Sequence, residues 1–233
     1  TGYDVAIMSP AYPIFRVKDK NVILPAYLDM WFKRPEFDRE AAKAELTALA
    51  ERFGVNIEFS EEKRRSNGST VLGVFNKGNN SVTIYINNLD SIEKAKAIVM
   101  HEVVGHYGLA QLFNGNEQMF NSVLDNVYAG MSKAEIEERT RECEANRSWK
   151  KLDEAGKRRL IAEEHLAKLS EEYLQREANG MLNETFLSKI RNVFAEIMQF
   201  FETLAGKGAL TESDMMDIVS ASAKWLESNK ASR

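Results

Sequence analysis

The chain is predicted to be an α+β protein: a small antiparallel sheet packed on one long helix, with a mostly helical C-terminal half. Three observations carry this. From Val55 to Asn88 apolar and polar residues alternate at period two between clusters of turn formers. Directly after comes one unbroken helical pattern, "LDSIEKAKAIVMHEVVGHYGLAQLF". Beyond it apolar residues keep helical spacing to the end, interrupted only by cap signals.

Residues 1–36 hold all four prolines, Pro10, Pro13, Pro25 and Pro35, with "VAIM" and "NVIL" between them. Proline disfavours helix for itself and for the residue before it, so an extended segment with a strand or two is expected. "EFDREAAKAELTALAERFG" is the first helix, closed by Gly54. "VNIEFSE", "STVLGVF" and "SVTIYINN" are three strands, with "NKGNN" at 76–80 as a turn. Asp90 with Glu93, Ser132 with Glu135, and Thr211 with Asp214 read as helix starts of the capping-box kind. The organisation expected is an N-terminal segment 1–36, a core 37–182 and a helical extension 183–233. The aromatic and Met stripe of that extension reads as core packing.

With 233 residues, 44% of them hydrophobic, the chain can bury a real core. A net charge of −4 removes any global electrostatic case for nucleic acid. The triplets Lys63-Arg64-Arg65 and Lys157-Arg158-Arg159 are short and read as solvated faces. The single cysteine, Cys143, excludes an intrachain disulfide and a cysteine-based metal site, and fits a reducing compartment such as the cytoplasm. The most apolar long run, Thr185 to Leu204, carries Lys189, Arg191, Glu196 and Glu202, so no membrane span is expected. The chain opens at Thr1 with neither Met nor a targeting pattern, as a piece of a larger polypeptide would.

His101 and His106, two of the three histidines, lie five residues apart in the long helical pattern. Zinc takes neutral imidazoles and carboxylates, usually three protein ligands plus water in a catalytic site. At about 100° per residue, side chains four apart share a face, whereas five apart diverge by roughly 140°. A π-type turn, with i to i+5 spacing, realigns them, and Gly105 before the second histidine tolerates the distortion. Glu102 follows His101, where a zinc peptidase carries its general base. Buried beside "AIVM" and "VV", three unpaired polar groups would be costly, which favours a site over an ordinary helix. A third ligand must come from elsewhere. The adjacent Glu163 and Glu164, the latter 58 positions after His106, are the natural source. The helix face formed by Leu166, Leu169, Tyr173 and Leu174 includes Glu163 better than Glu164, which favours Glu163 as the inward group.

"HEVVGH" resembles the H-E-x-x-G-H signature of dipeptidyl peptidase III-type zinc peptidases, a variant of the gluzincin motif. The resemblance implies a third ligand from a glutamate on a later helix, followed three positions on by a small residue. "EEHLA" fits with Glu164 as ligand and Ala167 as the small residue, which makes Glu163 a group that orients a histidine from behind. Where the signature carries a further acid, this chain has Lys168. Over more of its length, from about Val55 onward, the chain resembles the zincin-like metallopeptidase domain of large polyvalent proteins of phages and conjugative elements, some of which are delivered with DNA into the cytoplasm of a recipient cell. That likeness rests on "HEVVGHYGL" and on the order of elements after it.

The resemblance implies a zincin-like fold and a Zn2+ ion held by His101, His106 and Glu164. It further implies Glu102 as general base and a protein or peptide substrate, with no nucleic acid or membrane partner. One rival is a zincin fold kept as an inactive binding or structural module; the intact Glu102 speaks against it, because a structural zinc needs no base. Another is a self-processing peptidase with residues 1–36 as pro-segment. "SVTIYINN" is expected either to bind substrate as an edge strand or simply to pack. Tyr107, Tyr128 and Tyr173 are read as packing tyrosines.

Overall fold

Where the predicted periodicities are strongest, regular elements form. The computed structural model describes residues 4–7, 13–16, 38–62, 65–66, 69–76, 81–145, 149–190 and 194–229. Two units separate, Thr1–Asp38 and Arg39–Arg233. In the first, β1 (Asp4–Ile7), which covers most of "VAIM", pairs antiparallel with β2 (Pro13–Arg16), a strand in "PIFR" rather than in "NVIL", which lies outside the described residues. The rest of 1–36 lies outside the described residues, as do Lys63, Arg64 and the turn residues 77–80.

The second unit begins with α1 (Arg39–Arg52), which buries Ala42, Leu46 and Ala50. It ends at Gly54, whose φ of 67° is the left-handed conformation of a helix C-cap. β3 (Asn56–Ser60) follows, then the short pair β4 (Arg65–Ser66) and β5 (Ser69–Thr70), then β6 (Gly73–Asn76) and β7 (Ser81–Tyr85). "STVLGVF" therefore supplies two strands rather than one.

The three-stranded sheet runs β3-β7-β6 and is mixed, not antiparallel as predicted. β6 and β7 pair antiparallel, but β3 runs parallel to β7 from Asn56↔Ser81 to Ser60↔Tyr85. A parallel pair needs a long crossover, and residues 61–80 supply it. β7 takes the centre because it is the most buried strand: Ser81, Val82, Ile84 and Tyr85 are all buried. "SVTIYINN" is thus flanked on both sides, and the strand with an open edge beside the long helix is β6.

The long helix spans Ile92–Leu112 in three parts: α2 (Ile92–Met100), a π-helix (His101–Gly108) and α3 (Leu109–Leu112). Ser91 rather than Asp90 caps it, accepting from the Lys94 N–H at 3.2 Å, while Asp90 pairs with the Lys94 ammonium. After it come α4 (Glu117–Gly130), α5 (Lys133–Cys143), α6 (Glu154–Ser170), α7 (Tyr173–Ala178), α8 (Glu184–Ile190), α9 (Phe194–Lys207) and α10 (Glu212–Asn229). The predicted caps at Ser132–Glu135 and Thr211–Asp214 are both reciprocal.

The π-helix is the hub of the core. α6 and α10 pack on it from the helical side and β6 from the sheet side. Val103, Val104 and Leu109 are fully buried there, each worth about 1.5–3 kcal/mol of burial. The stripe of α9 and α10 packs as expected: Ile197, Phe201, Leu204, Met215, Met216 and Ile218 are buried. No helix among the described residues is long and apolar enough to cross a membrane.

Candidate metal centre

The chain's five-residue histidine spacing is absorbed where the arithmetic of helix phase requires it. The π-helix begins at His101 and includes His106. The two rings lie with centroids 5.0 Å apart, at 72° to each other. Gly105 contributes close approach rather than unusual dihedrals, for its φ is not positive. A Cβ built on it would lie 2.5 Å from the Ala167 Cα and 2.7 Å from its Cβ. Gly105 and Ala167 thus let α6 descend onto the π-helix, bringing Glu164 within reach of both histidines.

His101, His106 and Glu164 each offer a ligand atom, all within 4.8 Å of one another. The Glu164 carboxylate stands between the imidazoles, one oxygen 3.6 Å from His101 Nε2 and the other 3.7 Å from His106 Nε2. Glu163 lies on the outer side, with Oε1 3.2 Å from His106 Nδ1. On the outer side of the other ring, Glu171 Oε1 is 3.1 Å from His101 Nδ1. Each imidazole therefore has a carboxylate behind it. An Nδ1–H donated to that carboxylate leaves the Nε2 lone pair facing the shared point, as metal-binding histidines require. This cluster of two imidazoles and one carboxylate could hold a metal ion.

Glu171 escapes the sequence reading. The acid expected at position 168 is a lysine, and Glu171, one turn further on, stands behind His101 instead. It caps α6 at the C-terminus, and its second oxygen accepts from Lys168 Nζ at 2.7 Å. Its only signal is periodicity: seven residues past Glu164 is two helical turns, within about 20° of the same face.

Glu102 follows His101 on the π-helix and turns to the sheet. Its Oε2 accepts a hydrogen bond of 3.0 Å from the Phe75 N–H of β6. That amide turns away from β7 and toward the helix, and the Phe75 ring packs on Tyr107 at 4.9 Å. Gly73 of the same strand is equally close, for a Cβ there would lie 2.6 Å from Ile98 Cγ2 and 3.5 Å from Glu102 Cγ.

The electrostatics favour a cation. Burial works against a charge on His101, yet the neighbouring carboxylates of Glu164 and Glu171 outweigh burial and raise its pKa to about 10. His106 is raised likewise, burial being overcome by Glu163 and then Glu164. Burial pushes Glu164 and Glu171 up, but the His101 hydrogen bond holds both below the ordinary carboxylate value.

The other candidates lie elsewhere. His165 is buried on α6, 3.9 Å from Glu135, and outside the cluster. Tyr173 is fully buried and its hydroxyl donates to Glu177. Arg159 pairs with Asp125 and Lys157 with Glu154, so two residues of the second basic triplet are engaged with acids. Comparison with family models, with curated proteins and with solved structures returns no match.

Proposed function

We propose that the chain is a zinc-dependent peptidase of gluzincin type, with His101, His106 and Glu164 as zinc ligands and Glu102 as general base. The observation that carries the reading is the pair of imidazole Nε2 atoms turned onto one carboxylate, with Glu102 on the same π-helix. A structural metal site needs no such base.

Bound zinc would supply Lewis acidity, lowering the pKa of water and polarising a carbonyl. The protein's residues do the rest. Glu163 and Glu171 keep the ligand rings in one tautomer and one orientation. Glu102 receives the proton of the attacking water and delivers it to the leaving amine. The Phe75 amide holds the Glu102 carboxylate at the cleft wall, so the base is pre-oriented. An extended substrate would lie along β6, not β7, and pair with those outward backbone groups that Glu102 does not occupy.

Purified protein is expected to bind one Zn2+ per chain and to cleave a proteome-derived peptide library. Glu102→Gln should retain the metal and lose cleavage by 100-fold or more, roughly the range of acid–base catalysis. Unchanged cleavage by Glu102→Gln removes its role as base. Absence of zinc after dialysis against excess metal removes the site itself.

A further inference from the structure

A π-helix is a costly element that must be held open. Its i to i+5 ladder replaces the ordinary i to i+4 bonds, and further hydrogen bonds to its buried carbonyls help to hold that pattern. Val104, two residues before His106, is fully buried. The N–H of Leu109, the first residue after the π-helix, reaches the His106 carbonyl. The hydroxyl of Ser222 on α10 donates to Val104 O at 2.7 Å. Gly108 makes room for it, because a Cβ at 108 would fall on that hydroxyl. At the other end, Met100 O, directly before His101, lies 2.9 Å from the hydroxyl of Ser170 on α6. Ser170 shares its single proton with Ala167 O of its own helix, at 2.6 Å. Both serines are completely buried, and their hydrogen bonds go to backbone carbonyls.

We infer that Ser222, assisted by Ser170, is a positioning residue of the metal centre: it satisfies the backbone of the π-turn and so keeps the His101 and His106 Nε2 atoms convergent. Without the hydroxyl, the cheapest way to satisfy Val104 O is to restore the i to i+4 bond from Gly108. That tightens the turn and rotates the histidines apart by part of the roughly 140° that separates them on an α-helix. The inference rests on the proposed zinc site.

The test uses the whole chain, stripped by a chelator and titrated with Zn2+ in competition with a chromophoric chelator. Co2+ is then loaded and its visible spectrum recorded, since band intensity reports ligand geometry independently of fold stability. Ser222→Ala should bind zinc roughly tenfold or more weakly, as for other residues that support a ligand from behind, with an altered cobalt spectrum. Ser170→Ala should show the same change to a smaller degree. Ser220→Ala is the control: its hydroxyl, on the same helix, is buried with no hydrogen-bond partner, and it should bind as the wild type does. Wild-type affinity and spectrum in Ser222→Ala overturn the inference, as does an equal loss in all three variants. Should Ser222→Ala fail to fold, Ser222→Cys carries the test: a threefold or greater loss is expected from the weaker donor, and wild-type affinity overturns the inference. A wild type that binds no zinc overturns the proposed site and this inference with it, a result distinct from all the others.

Discussion

Behind each imidazole stands a carboxylate, and the two are not equivalent. Glu163 neighbours the candidate ligand Glu164 in sequence, while Glu171 lies at the end of α6 and is itself held by Lys168. Removing the Glu171 charge leaves the His101 ring free to turn and to change tautomer. Glu171→Gln is expected to weaken zinc binding roughly 10- to 100-fold, measured by competitive titration, with Lys168→Ala intermediate. A Glu171→Gln protein with wild-type affinity would show that His101 needs no such partner. The lysine at 168 thus has a physical reading: it anchors, from one turn away, the acid that does the work. Cys143 is also legible here. Burial raises its thiol to about 12, so alkylation by iodoacetamide at pH 8 should be negligible until the chain is unfolded.

At the scale of elements, the π-helix was readable from sequence because five-residue spacing and a shared target cannot both hold on an α-helix. The phase of α6 was not. Its apolar face points to Glu163, yet the Gly105–Ala167 contact sets the helix down so that successive glutamates straddle one histidine, Glu163 outside and Glu164 inside. The sheet failed for a different reason. Hairpins are local and legible, whereas β3 meets β7 across a crossover that no short-range pattern records. Gly105→Ala tests the contact directly. A methyl there has no space, so destabilisation of about 1–3 kcal/mol is expected in chemical denaturation, together with loss of zinc affinity. Full affinity at reduced stability would separate packing from metal binding.

Across the whole molecule, the buried charges make the metal-free state sensitive to pH. His101 titrates near 10 in the folded protein against 6.5 unfolded, so its contribution is complete below 6.5 and is lost as pH rises toward 10. Glu164 and Glu171 are held below 4.5, so theirs is present above that value and is lost as pH falls. Chelated protein should therefore be most stable between about pH 4.5 and 6.5, with Tm falling on the alkaline side. Saturating zinc replaces the proton and should restore the alkaline Tm, adding about 2.7 kcal/mol at 100 times Kd. A chelated Tm that stays flat up to pH 10 would contradict this account of the cluster.

The bond from Ser222 to Val104 joins positions 118 residues apart in the chain. On a ribosome, or threading through a pore, the segment bearing His101 and His106 emerges well before the one bearing Ser222. Until α10 arrives, the widened turn has the Ser170 bond but not the Ser222 bond, and a chain interrupted before it carries the histidines with only one of the two supports. The order of synthesis therefore places the Ser222 support of the candidate metal centre among the last contacts to form.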